Sequence, residues 1–155
     1  NNINISPSEY SNVSGPFWNV RPIKGDIKEN KYINAINSCS LLRVESILSI
    51  GGFNENYPLD YLDCWYFYQF HKKGYSIKII NATVHHNLSI LSLEDMNIKR
   101  YEGYMKSCAR FAKDTQCSFL FFFRMRTLLR CTKMLVLPSR WHLIRPTFSA
   151  LFLKD

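Results

Sequence analysis

Gly51-Gly52-Phe53-Asn54-Glu55, followed by Asp60-Tyr61-Leu62-Asp63 and later by His85-His86, is the stretch on which the reading of this chain turns. The glycine pair ends one element, because glycine tolerates the left-handed backbone common at helix termini. Two carboxylates then stand three residues apart. Leu62, Trp65, Tyr66 and Phe70 recur near helical spacing up to Gly74, which predicts a helix over 61–73. Asp60 takes the N-cap position of that helix, and Asp63 lies in its first turn, where backbone N–H groups favour negative charge. Carboxylates and histidines at the ends of regular elements suit acid–base and metal chemistry. The same carboxylates also suit the plain role of helix caps, and the histidines that of solvated or packed side chains.

Outward from this centre, residues 1–30 are rich in Asn, Ser, Pro and Gly and read as loop. Residues 32–37 partly alternate, as a strand does. Ser40 is placed to cap a short helix through Ser49, and 75–80 reads as a second strand ahead of His85 and His86. A long helix is expected over 92–113, with Ser92 and Asp95 in a variant of the capping box. The final segment carries Phe119 to Phe123, then Met125, Leu128, Leu129, Met134, Leu135 and Val136. It is interrupted by Arg124, Arg126, Arg130 and Lys133. It reads as an amphipathic basic helix with an aromatic head, ended near Pro138.

The chain has 155 residues, 46% of them hydrophobic and 15% aromatic, which is ample for a packed core and excludes intrinsic disorder. Its formal charge of +8 is unevenly placed: residues 1–98 hold eight Lys/Arg against nine Asp/Glu, and residues 99–155 hold twelve against three. The basicity therefore belongs to the C-terminal third and implies an anionic partner there, a membrane surface or a polyanion. No nucleic-acid-binding motif accompanies it. Cys39, Cys64, Cys108, Cys117 and Cys131 form no CxxC pair and are odd in number, which fits reduced thiols and not a disulfide framework. No signal peptide is visible, and no apolar run reaches the roughly 18–20 residues of a membrane span. A start on Asn1 points to a fragment or a processed form.

The Gly-Gly-Phe-Asn-Glu turn, Asp60-Tyr61-Leu62-Asp63 and the apolar Ala82-Thr83-Val84-His85-His86 run resemble, in order and spacing, the acceptor-side half of an inverting family-two glycosyltransferase of the rhamnosyltransferase-like kind. The resemblance covers about residues 32–110. It implies an α/β fold, the C-terminal part of a GT-A fold with a basic helical tail, divided into a loop-rich lead-in at 1–31, a partial transferase domain at 32–98 and the tail at 99–155. It implies that Asp63 is the general base, with Asp60 as a supporting carboxylate. Ser38 and Cys39, in a segment similar to the family's Thr-Ser-Gly-Ser, would bind donor and acceptor with Trp65, and His86 would be a ligand of a divalent metal, manganese or magnesium. Strand end and helix cap are the plain roles open to Ser38 and Ser40. The sequence departs from the pattern at Asn54, Trp65, Tyr66 and Gln69, where the family carries Asp, an acidic residue, Trp and Arg. The usual Asp-x-Asp is absent from the chain.

The function so implied is transfer of a sugar from a nucleotide sugar to a saccharide or lipid-linked acceptor, in cell-surface polysaccharide or O-antigen assembly. It would take place peripherally on the cytoplasmic face of a bacterial membrane. Two other readings stand beside it: an inactive truncated remnant, and a non-enzymatic membrane-surface module built on the basic tail.

Overall fold

A computed structural model describes residues 11–12, 33–34, 37, 40–77, 97–115 and 117–152, with the backbone alone for 11–12, 33–34 and 117–119. The chain divides into two compact units. One comprises Asn1–Pro58 with Leu62–Asn87, the other Leu59–Tyr61 with Leu88–Asp155.

In the first unit, β1 (Ser11–Asn12) pairs antiparallel with β2 (Ile33–Asn34), Ser11 opposite Asn34. Helix α1 (Val44–Ser49) buries Ile47, and α2 (Leu62–Lys72) buries Tyr66, Phe67, Tyr68 and Phe70. Both helices end in the same way. After α1 the Gly52 N–H bonds the Ile47 carbonyl and the Gly51 N–H that of Leu48, both at 3.0 Å. After α2 the Tyr75 N–H bonds the Phe70 carbonyl and the Gly74 N–H that of His71, again at 3.0 Å. These are Schellman closures with glycine at C′, and Gly51 and Gly74 have φ of 90° and 71°. The hydrophobic contact that accompanies such a closure is present as an edge-to-face pair of Phe70 and Tyr75, 5.7 Å between centroids. The Tyr75 hydroxyl meets Ser49 Oγ at 2.9 Å, and the Lys73 ammonium donates to the Ser49 carbonyl, so the two helix ends are tied together.

The regular elements described in the second unit are all helical: α3 (Ile98–Thr115), α4 (Cys117–Leu135), a 3-10 turn at Pro138–Leu143, α5 (Ile144–Ser149) and a last 3-10 turn at Ala150–Phe152. Asn97 caps α3, its Oδ1 accepting from the Lys99 N–H at 2.9 Å. Tyr101, Met105, Cys108 and Ala112 bury one stripe of α3, and Phe123, Thr127, Cys131 and Met134 one stripe of α4. Spacings of three and four put each set on a single face. At about 1.5–3 kcal/mol for each large apolar side chain buried, these stripes supply the principal cohesion of the unit. Thr147 of α5 is fully buried; its hydroxyl donates to the Leu143 carbonyl at 2.7 Å and meets the Tyr101 hydroxyl at 2.8 Å. The Cys108 thiol lies in this interior, and burial pushes its pKa up to about 12.

The α/β expectation is overturned. Among the described residues the chain is of a helical class, and the one strand pairing is two residues long and antiparallel. Of the strand expected over 32–37, the described residues are Ile33 and Asn34, which pair with β1, and Asn37, which lies in a bend. At 75–80 the described residues, Tyr75 to Ile77, have no regular structure. The reason is local: the Tyr75 N–H and ring are committed to closing α2, which withdraws them from any ladder. The expected cap of α1 also differs. The helix starts at Val44 behind Arg43, which makes no side-chain cap bond. The expected start of α3 at Ser92 gives way to Ile98 behind Asn97, and Ser92 and Asp95 lie outside the described residues.

Candidate functional site

The site is assembled where the chain enters α2. Gly51 and Gly52, both at positive φ, turn the backbone out of α1. Asn54 then closes a tight turn, its Oδ1 accepting from the Asn56 N–H and its carbonyl from the Tyr57 N–H, each at 3.0 Å. Fully buried Tyr57 anchors this loop. Phe53 reaches Tyr66 edge-on with 6.0 Å between ring centroids. The turn is thus packed against the helix that carries Asp63.

Asp63 sits in the first turn of α2. Its Oδ1 accepts from the Cys64 N–H at 2.8 Å, and its Oδ2 from the Asn37 N–H at 3.3 Å. Tyr66, one helical turn on and on the same face, donates its hydroxyl to Asn37 Oδ1 at 3.1 Å and also bonds Ser40. Burial pushes the Asp63 carboxyl above the usual carboxylate range, against the lowering effect of its N–H partners. Burial, and then the neighbouring Asp63 charge, push the Tyr66 phenol up as well, so it remains a hydroxyl donor. The Cys64 and Asn37 N–H groups, the Cys64 thiol and the N–H of Asp63 itself all approach this carboxylate, which orients it and favours its charged form. The arrangement is a half-buried, oriented carboxylate of raised basicity, able to accept a proton from an approaching hydroxyl.

The other expected site residues are distributed differently. Trp65 lies two positions after Asp63, hence on another side of the helix, and its ring packs on Tyr57 at 6.4 Å. Asp60 belongs to the second unit. There both its oxygens accept from the Arg100 guanidinium, the Nη2–Oδ1 contact being 2.7 Å, and just 10% of the Asp60 side chain is exposed. Tyr61, at φ 65°, sets its ring 5.7 Å from Tyr104 and 5.6 Å from Phe111 in the same unit. Ser38, Cys39 and His86 lie outside the described residues, although Asn37 and Ser40 on either side of the first two do meet the Asp63–Tyr66 face. Among the described residues no group of three or more His, Cys, Asp or Glu side chains could hold a metal ion. The holding roles of Asn37 and Tyr66 escape sequence reasoning. The sole signal is that Asn37 precedes the Ser38-Cys39 pair and Tyr66 follows Asp63 at i+3.

No protein-family model, curated protein or solved structure matches the chain.

Proposed function

We propose that this chain is the acceptor-side portion of an inverting sugar transferase in which Asp63 is the general base. The observation that carries the reading is the oriented Asp63 carboxylate, braced by Asn37 and raised in basicity by burial. The described architecture is helical, so the reading rests on the site and not on a fold. In the step proposed, an acceptor hydroxyl attacks the anomeric carbon of a nucleotide sugar from the face opposite the leaving group. The new C–O bond forms as the bond to the diphosphate breaks; the nucleoside diphosphate departs with the electron pair, and Asp63 receives the hydroxyl proton. The hydroxyl becomes acidic as that bond forms, so a close, aligned carboxylate suffices. Asp60, held by Arg100, is given no chemical step. The divalent metal expected of a complete enzyme, with His86 among its ligands, is likewise given none, since the described residues offer no donor set for it.

The location proposed is peripheral, at the cytoplasmic face of a bacterial membrane. No helix of the described residues is long and apolar enough to cross a membrane. Support for a peripheral place comes from α4, where Phe121, Phe122, Met125, Leu128 and Leu129 are exposed beside Arg124 and Arg126.

The test is Asp63→Asn in the whole gene product that carries this chain, assayed for sugar transfer from nucleotide sugars to saccharide acceptors. Transfer should fall by about 10²–10⁴-fold, the usual weight of a positioned base. Undiminished transfer would sink the assignment.

A further inference from the structure

The second unit holds a cavity of about 350 Å³, within the size range of small-ligand sites, that the sugar-transfer reading leaves unused. Four cations line it: Arg126, Arg130 and Lys133 from α4, and Arg140 from the following 3-10 turn. Among the described residues that line it there is no carboxylate. Arg130 is the telling member. It is half-buried; its Nη1 lies 3.5 Å from Met105 Sδ, and it hydrogen-bonds the phenol of Tyr101. Those partners are neutral, and among the described residues Arg130 has no ion pair. A partly desolvated guanidinium without a counter-charge is costly in an isolated fold and favourable around a bound anion. Its phenol partner is itself fixed, because Tyr101 is fully buried and bonded to Thr147. The base of the cavity is therefore preorganised and does not depend on surface side chains alone.

The remaining wall is apolar: Leu129, Met134, Leu137 and Leu143. Leu143 is buried, whereas Leu129 and Leu137 continue onto the exposed surface. A wholly polar anion such as inorganic phosphate would leave that wall unused. We infer that this cavity is a binding site for an amphiphilic phosphate, its phosphate group held by Arg130 and Lys133 and its hydrocarbon laid along Leu129, Met134 and Leu137. Arginine presents a planar fork of donors to phosphate oxygens, and lysine adds a point charge. Each methylene buried on the apolar wall gains roughly fourfold in affinity. The inference stands on the second unit alone and survives failure of the sugar-transfer reading.

The experiment is calorimetric titration of the full chain with dihexanoyl phosphatidic acid below its micellar concentration. Parallel titrations use inorganic phosphate, dihexanoyl phosphatidylcholine, and vesicles of phosphatidylcholine with and without phosphatidic acid. The dissolved phosphatidic acid should bind with one-to-one stoichiometry, at least about tenfold tighter than inorganic phosphate or the phosphatidylcholine. Arg130→Gln and the exposed Lys133→Gln should each weaken it by about tenfold. Lys133→Gln keeps the test sound if the half-buried site does not tolerate substitution. Equal affinity for inorganic phosphate overturns the proposal, because the apolar wall would then contribute nothing. So does binding to acidic vesicles without binding of the dissolved amphiphile, which would be adsorption to a charged surface. An unchanged affinity in Lys133→Gln with helical circular dichroism intact overturns it too.

Discussion

Replacing Thr147 by Val tests whether the polar thread through the second unit holds it together. The two side chains are nearly equal in volume, so the change opens no appreciable cavity; what it removes is a hydroxyl set among the Leu143 carbonyl, the Tyr101 hydroxyl and, at 3.7 Å, Met134 Sδ. That hydroxyl donates to the Leu143 carbonyl at 2.7 Å and meets the Tyr101 hydroxyl at 2.8 Å, and both Thr147 and Tyr101 are 0% exposed. After the substitution the Tyr101 O–H keeps its contact with Arg130 but loses its acceptor in an interior that water does not reach. A buried donor left without its partner costs about 1–3 kcal/mol. Urea unfolding followed by far-ultraviolet circular dichroism should register that loss as a lower midpoint at unchanged slope. Tyr101→Phe removes the orphaned group, so the double variant should be less destabilised than the two single changes added together, with a coupling of roughly 0.5–3 kcal/mol. A Thr147→Val chain within about 0.3 kcal/mol of the parent, or additivity in the double variant, would show that the Tyr101–Thr147 contact carries no stability.

Two further outcomes follow from the first unit. Gly74 has φ 71° and nothing within 4 Å of where a Cβ would stand, so Gly74→Ala meets a backbone penalty and no clash; about 1–2 kcal/mol should be lost, and Gly74→Asn should lose less, both read from urea midpoints. Asp63 has its folded-state pKa raised by burial, so its protonated form is the one the fold favours. Its contribution to stability is therefore fully present below the ordinary carboxylate pKa and is lost as pH rises through the raised one. The parent chain should lose stability relative to Asp63→Asn as pH rises above the ordinary carboxylate pKa of about 4; a difference that stays constant as pH rises would show that burial does not govern this carboxyl.

What could be read from the sequence was local. The apolar spacing and Gly74 mark α2 to within a residue or two, and the glycine pair marks the end of α1, because each depends on neighbours a few positions away. Ser40 illustrates the limit. As a serine ahead of an apolar run it reads as a helix cap, yet its hydroxyl goes to Tyr66, a tertiary partner that outbids the local one. Tyr75 stands at the head of an alternating run and reads as strand, but it is used to finish a helix. Contacts such as Asn37 with Asp63, Asp60 with Arg100 and Tyr101 with Thr147 join residues 26, 40 and 46 positions apart, and no spacing rule encodes them. The position of Arg130 is also illegible in one dimension. In the sequence it is one more cation on a helix face, and in the fold it is a half-buried group at the base of a cavity.

The Cys108 thiol can serve as a clock for the second unit. A thiol-modifying reagent needs both the thiolate and a path to the sulfur, and the folded interior withholds both, with the pKa near 12 and the side chain 5% exposed. Modification at this position therefore proceeds through states in which α3 has parted from its neighbours. Measured against the rate of an unstructured peptide thiol, its slowness reports the free energy of that opening without denaturant. The most deeply packed cysteine in the described chain thus keeps time on the coming and going of the core around it.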